Sequence, residues 1–142
     1  MNPVVVYFSR TGNTKRLAHA IADFTKAKIF ELTEAETAEI AVSDFFIFGT
    51  PVEGASPAKE AQTYIANLPT VAGKKAIIFC TYKIFGNERA MKTIEKELSA
   101  KGYETILKVS KKGMKPNQTT DFSEILSKIK AVIKKNQKIR DE

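Results

Sequence analysis

The chain has 142 residues, 43% of them hydrophobic, a length and composition typical of one globular domain and not of a disordered chain. Its formal net charge of +7 predicts attraction to acidic partners. A single cysteine rules out an internal disulfide, and the sequence shows neither a membrane-spanning apolar run nor a signal peptide. We therefore expect a cytoplasmic protein in which residues 1–142 form one domain.

Short apolar segments alternate with helical patterns along the chain. The apolar segments predict strands at residues 4–8, 28–32, 45–48, 76–80 and 103–109. Between and after them, the spacing of apolar residues predicts helices at 13–26, 35–40, 58–67, 87–101 and 122–136. This repeated alternation predicts an α/β domain, with one five-stranded parallel sheet covered by helices on both faces.

Charged residues distinguish the expected edge strands from the central ones. The first, third and fourth apolar segments contain no charge, which is typical of strands buried on both faces. The second segment contains Glu31, and the fifth contains Glu104 and Lys108, as suits the exposed edges of a sheet. The pattern favours the doubly wound order 2-1-3-4-5, in which a ligand binds beyond the carboxyl ends of the first and third strands.

The segment SRTGNT lies between the first strand and the first helix. Ser9, Thr11, Asn13 and Thr14 surround Gly12, which permits a positive φ and close approach of the backbone. Free N–H groups and the dipole at a helix start attract an anion, so we predict that this loop holds a phosphate. Helix capping by Thr11 or Asn13 is the alternative. The loop lacks the GK[ST] ending and the GxGxxG pattern, which argues against a nucleoside triphosphate or a dinucleotide.

This segment, placed directly after a buried strand, resembles the phosphate loop of the flavodoxin family, whose pattern is Ser/Thr-x-Thr-Gly-x-Thr. Flavodoxins are themselves the standard example of the order 2-1-3-4-5. The resemblance covers nearly the whole chain, is to the short-chain type, and implies FMN as the cofactor. It implies phosphate binding by the residues of the loop, namely Ser9, Thr11, Gly12, Asn13 and Thr14. Arg10, at the variable position of the pattern, belongs to the predicted site. Its positive charge either contributes to phosphate binding or faces solvent, and we favour the solvent-facing position.

The resemblance implies that a second loop, GTPVEGASPA after the third strand, lines the flavin. The predicted cofactor-binding residues of this loop are Thr50, Pro51, Val52, Glu53 and Gly54. A peptide flip at Gly54 would turn the preceding carbonyl toward the flavin N5. The alternative is that Gly54 and Pro57 only shape a turn before the next helix.

A third loop, CTYKIFGNERA after the fourth strand, resembles the second flavin loop of the family. Its predicted cofactor-binding residues are Cys80, Thr81, Tyr82, Phe85, Gly86 and Asn87. Tyr82 or Phe85 is expected to stack on the flavin, and Phe85 matches the family pattern better. The chain has no tryptophan, and Val52 or Glu53 stands where many flavodoxins have an aromatic ring. With fewer aromatic rings beside the flavin, we expect weaker FMN binding or a more open site.

The only histidine lies in the first helix, and no metal-binding motif is apparent, so the chemistry is expected to come from the cofactor. The leading interpretation is a non-catalytic electron carrier that uses bound FMN. An FMN-dependent NAD(P)H oxidoreductase acting on a quinone or a metal chelate is the alternative. A binding module that retains the fold without flavin is a third hypothesis, because fold alone does not decide function.

Basic residues are concentrated near the carboxyl terminus. They are Lys111, Lys112 and Lys115, followed by Lys128, Lys130, Lys134, Lys135, Lys138 and Arg140. The alternative for the second group is a solvated helix face, because the apolar positions of this helix form a separate stripe. A nucleic-acid partner is not favoured, since no recognition motif or interleaved aromatic residue accompanies the charge. The charge instead suggests an acidic redox partner, such as a ferredoxin.

Overall fold

The computed structural model describes residues 2–141, apart from the side chains at positions 37 and 138–141. Strands and helices alternate through nearly all of this part of the chain. In order they are β1 (Pro3–Tyr7), α1 (Asn13–Thr25), β2 (Lys28–Glu31), α2 (Thr37–Ala41), β3 (Phe45–Glu53), β4 (Ser56–Pro57), α3 (Lys59–Ala66), β5 (Lys74–Tyr82), α4 (Asn87–Ser99), β6 (Tyr103–Lys112) and α5 (Ser123–Asp141).

The sheet has the order β2-β1-β3-β5-β6, and all four of these pairings are parallel. Since β5 and β6 are the fourth and fifth predicted strands, the predicted α/β fold and its order 2-1-3-4-5 are confirmed. The charged segments β2 and β6 lie at the two edges, as expected. No helix within residues 2–141 combines the length and the apolar character needed to cross a membrane.

Hydrophobic residues fill both faces of the sheet. Along β3, Phe46 and Phe48 pack into a core beneath α3 and α4, where Ile94 is fully buried. Ile47 points to the opposite face, into a core with α1 and α5 that includes Leu17. Successive side chains of a strand alternate between faces, so a strand covered on both sides must be apolar at every position. This explains the uncharged runs of the central strands.

One strand was missed by the sequence analysis. β3 continues to Glu53, well past the predicted end at residue 48, and β4 then pairs with it antiparallel. The two central residues of the connecting turn, Gly54 and Ala55, both have a positive φ (59° and 64°), as a two-residue hairpin turn of type I′ requires. Most of the predicted second loop is therefore a β-hairpin, and Pro57 lies in β4.

Gly49 sits where β3 passes between β1 and β5. It pairs with Tyr7 on one side and with Phe79 on the other. A Cβ atom at this position would lie 2.1 Å from two ring carbons of Phe79, far inside van der Waals contact. Only a residue without a side chain leaves room for the phenyl ring in this central part of the sheet.

We expect Gly49→Ala to lower the free energy of unfolding by about 1–3 kcal/mol, because the added methyl group overpacks the core against Phe79. Urea denaturation of Gly49→Ala, Phe79→Leu and the double variant forms the test. The cost of Gly49→Ala should be smaller in the Phe79→Leu background. Equal costs in both backgrounds would show that the phenyl ring is not the obstacle.

Candidate functional site

A cavity of about 520 Å³ opens at the carboxyl ends of β1, β3 and β5. It lies between the loop after β1, the β3–β4 hairpin and the loop after β5. Its wall is formed by Arg10, Thr11, Asn13, Pro51, Val52, Glu53, Gly54, Ala55, Thr81, Tyr82, Lys83, Ile84, Phe85 and Met114. A cavity of this size accepts one cofactor-sized ligand, and it lies where doubly wound sheets bind ligands.

The three predicted loops thus meet at one cavity. Of the predicted site residues, those on the wall are Arg10, Thr11, Asn13, Pro51, Val52, Glu53, Gly54, Thr81, Tyr82 and Phe85. The others lie behind the wall or beside it, and they are Ser9, Gly12, Thr14, Thr50, Cys80, Gly86 and Asn87. Their roles in ligand binding stay predictions, whereas each of them has an observed place in the fold.

Ser9 binds the start of the first helix. Its Oγ accepts hydrogen bonds from the backbone N–H of Gly12 (3.1 Å) and of Lys15 (3.2 Å). Gly12, with φ 97°, turns the chain into α1. The N-cap residue of α1 is Gly12, so neither Thr11 nor Asn13 caps the helix as the alternative expected, and the Oγ of Ser9 accepts from the first turn instead.

The start of α1 is suited to an anion. Within the described part of the chain, the backbone N–H groups of Thr11, Asn13 and Thr14 have no hydrogen-bond acceptor. The first turn of α1 also contains no acidic side chain that would neutralise the positive end of the helix dipole. Unpaired N–H donors and an unopposed dipole together favour a negatively charged group at this end of the cavity.

Two buried hydroxyl groups join the first loop to β5. Thr14 Oγ1 and Thr81 Oγ1 lie 2.8 Å apart, and both residues are at least 95% buried. A buried hydroxyl without a partner costs about 1–3 kcal/mol, so this pair stabilises the junction of loop and sheet. The junction fixes the position of the helix start relative to the end of β5.

The hairpin is held at its base and at its tip. At the base, Thr50 Oγ1 accepts a buried hydrogen bond from the N–H of Ala58, 3.1 Å away. At the tip, Ala55 packs so closely on Gly86 that a Cβ atom at position 86 would lie 2.6 Å from the Ala55 Cα. Thr50 and Gly86 therefore shape the cavity through the backbone.

The loop after β5 presents its apolar side chains outward. Ile84 and Phe85 are 72% and 71% exposed, whereas Tyr82 is partly buried. Asn87 turns away from the cavity, and its Nδ2 donates to Ser110 Oγ over 3.0 Å. Cys80 is fully buried in β5, as expected of a core residue, and burial raises the pKa of its thiol to about 12.

Arg10 lies between two carboxylates. Its Nε and Nη2 donate to the two carboxylate oxygens of Glu53 over 2.6 and 2.9 Å, and Nη2 also donates to Glu60 Oε1 over 2.9 Å. Its guanidinium carbon lies 4.9 Å from the centre of the Phe8 ring. Arg10 is half exposed, but it is bound to protein groups and does not simply face solvent.

The cavity wall includes residues that the sequence analysis did not assign to it: Ala55, Lys83, Ile84 and Met114. The first three lie within loops already predicted to line the site. Met114 comes from a fourth loop, which follows β6. Two side chains of α1 bind this loop: Asn13 Nδ2 donates to the Met114 carbonyl (3.2 Å), and Arg16 Nη1 donates to the Lys115 carbonyl (3.0 Å). No local pattern in the sequence indicated this loop.

The cavity wall has few groups for acid–base chemistry or metal binding. Glu53 is its one carboxylate, and that group is paired with Arg10. Across the described residues, no three His, Cys, Asp or Glu side chains are grouped in a way that would hold a metal ion. The arrangement is suited to holding a ligand whose own chemistry is used.

Comparison with known proteins identifies the family. Residues 4–138 match the model of the Flavodoxin domain family. A comparison with curated proteins gave no match.

Several solved flavodoxin structures share the fold. Oxidised Flavodoxin 2 from Bacillus cereus has a TM-score of 0.79 at 20% identity, covering 95% of this chain and 99% of that one. Two-electron reduced Megasphaera elsdenii flavodoxin has a TM-score of 0.72 at 21% identity, covering 87% and 95%. A flavodoxin from the domain Archaea has a TM-score of 0.70 at 22% identity, covering 93% of both chains. The fold likeness agrees with the family match over residues 4–138, and the chain belongs to the Flavodoxin domain family.

Proposed function

We propose that this protein binds FMN in the cavity and carries electrons between redox partners. The observation that supports this best is the cluster of backbone N–H groups without acceptors at one end of a cavity of about 520 Å³. That combination suits a ligand with one anionic end and a large uncharged body. Membership of the Flavodoxin domain family supports FMN as that ligand.

The residues present fit the two ends of FMN. The phosphate would be held by the loop of Ser9, Thr11 and Asn13 at the start of α1, where donors and the helix dipole favour an anion. The ring system would lie between the hairpin and the loop after β5, where Val52, Tyr82 and Phe85 offer apolar surface. Aromatic contacts of this kind contribute about 0.5–1.5 kcal/mol beyond burial.

When bound, FMN supplies the one- and two-electron redox chemistry that no side chain of the cavity provides. The protein then has to bind and orient the cofactor and leave an approach for a partner. The exposed side chains of Ile84 and Phe85 lie on the wall of the cavity, at the protein surface. A second protein reaching the cofactor would contact this apolar tip.

Basic residues beside the cavity favour an acidic partner. Lys83 lies on the wall, Lys112 pairs with Tyr82 in the sheet, and Lys115 follows Met114. All three are exposed, and within residues 2–141 none of them forms an ion pair. A partner with an acidic face, such as a ferredoxin, would be attracted to this end of the molecule. Of the basic residues noted above, the side chains of Lys138 and Arg140 lie outside the described structure.

We expect Thr11→Val to weaken FMN binding by roughly tenfold, because hydrogen bonds to a charged group contribute about 1.5–3 kcal/mol. Quenching of flavin fluorescence measures the affinity. Riboflavin, which lacks the phosphate, should bind the wild type and Thr11→Val equally well. Thr93→Val, at a half-buried position of α4 that does not line the cavity, is the matched control and should bind FMN like the wild type. Equal affinity of the wild type for FMN and riboflavin would argue against a phosphate site.

Incubation of the FMN-loaded protein with NADH or NADPH separates a carrier from an enzyme. We expect no sustained loss of absorbance from the nicotinamide, with or without a quinone or ferricyanide, until a separate reductase is added. Sustained oxidation of NADH or NADPH by the protein alone would instead indicate an FMN-dependent oxidoreductase. Protein that is purified colourless and does not quench added FMN would favour the flavin-free binding module.

Electron transfer from a reduced acidic ferredoxin tests the basic surface. In stopped-flow mixing, the second-order rate should fall roughly tenfold or more as ionic strength rises from 0.01 to 0.15 M, since the Debye length shortens from about 30 to 8 Å. Lys83→Glu should lower the rate at low salt, while Lys96→Glu, at the far end of α4, should not. A rate that is indifferent to salt would contradict an electrostatically attracted acidic partner.

A further inference from the structure

The side chains of Arg10, Glu53 and Glu60 form a small ion-pair cluster, here called the clasp, beside the cavity. Its members come from three elements: the loop after β1, the end of β3 and the first turn of α3. Glu53 receives a two-pronged pair of hydrogen bonds from Arg10, and Glu60 receives one. The hydrogen bonds raise the pKa of Arg10 and lower that of Glu60, as expected of a formed ion-pair cluster.

The charge of the clasp does not suit a phosphate ligand. Two carboxylates surround one guanidinium, so the three side chains together carry one formal negative charge. The Nε and Nη2 donors of Arg10 are already directed at carboxylate oxygens. An incoming phosphate dianion would meet a net negative group here, whereas the start of α1 offers unpaired donors and no carboxylate.

The clasp instead connects the hairpin to the loop before α1. Glu53 is the last residue of β3, immediately before the turn of Gly54 and Ala55. The opposite side of that turn rests on Gly86 in the loop after β5. Ala55 holds a φ of 64°, which residues other than glycine rarely adopt, and such conformations persist only where surrounding contacts enforce them.

We propose that Arg10 is a positioning residue that fastens the β3–β4 hairpin at the edge of the flavin cavity, and that it is not a phosphate ligand. The inference rests on the proposed FMN function. A single exposed ion pair contributes little to the stability of a folded structure. Here two parallel hydrogen bonds, a second carboxylate and the face of Phe8 act on one guanidinium, which fixes its geometry.

Binding of riboflavin distinguishes the two roles, because riboflavin carries no phosphate. We expect Arg10→Gln to weaken riboflavin binding by roughly fivefold and to speed its dissociation, since the hairpin loses the contact that holds it to the loop before α1. FMN binding should weaken by at least the same factor. A phosphate-binding arginine would leave riboflavin affinity unchanged, and that result would overturn the proposal.

Glu53→Gln supplies the second arm of the test. It should weaken riboflavin binding in the same direction, and the double variant should bind no more weakly than Arg10→Gln, because Arg10→Gln already removes the contact between Arg10 and Glu53. Additive losses would contradict a shared contact. Arg89→Gln removes an equal charge from the exposed side of α4 and should leave affinity unchanged.

A measurement without flavin provides an independent check. Hydrogen exchange of the backbone amides at residues 50 and 52–56 should be faster in Arg10→Gln than in the wild type or Arg89→Gln, with the amides of α1 unchanged. Unchanged exchange at these amides would contradict a positioning role for the clasp.

The binding results separate failure of the clasp from failure of the proposed function. If the wild type bound neither FMN nor riboflavin, the proposed function would fail. If it bound both and Arg10→Gln affected FMN alone, only the clasp would fail.

Discussion

The register of β1 against β3 is the constraint on which the site depends. Tyr7 lies opposite Gly49, and the N–H of Phe8 donates to the Gly49 carbonyl over 3.0 Å, so the two strands stay paired to the end of β1. The loop before α1 and the β3–β4 hairpin therefore emerge side by side. The ring of Phe79 fills the space beside Gly49, and this contact also fixes the position of β5 against β3.

Much of the fold could be predicted from the sequence, because a strand buried on both faces must be apolar at every position and an edge strand need not be. The hairpin could not be predicted in the same way. The segment from Pro51 to Pro57 contains two prolines and a glycine, which locally indicate a loop, and its pairing depends on β5 and on the return strand. Ala55 has no intrinsic preference for a positive φ, so only tertiary contacts explain its conformation.

The position of the cavity was predictable from topology, because the loops that follow neighbouring parallel strands meet at one edge of the sheet. The contacts between those loops were not. Arg10 finds its carboxylates 43 and 50 residues further along the chain, and Asn13 reaches a carbonyl 101 residues away. Such pairings are created by the folded sheet and leave no periodic pattern in the sequence.

The burial of Cys80 has a consequence for the chemical durability of the protein. Oxidation of a thiol by peroxide proceeds through the thiolate and requires access to the sulfur. With a pKa of about 12 and no exposed surface, the only sulfhydryl of the chain is almost entirely protonated near neutral pH and shielded by its neighbours. The folded protein should therefore resist sulfenic acid formation, and two copies should not become joined through a disulfide.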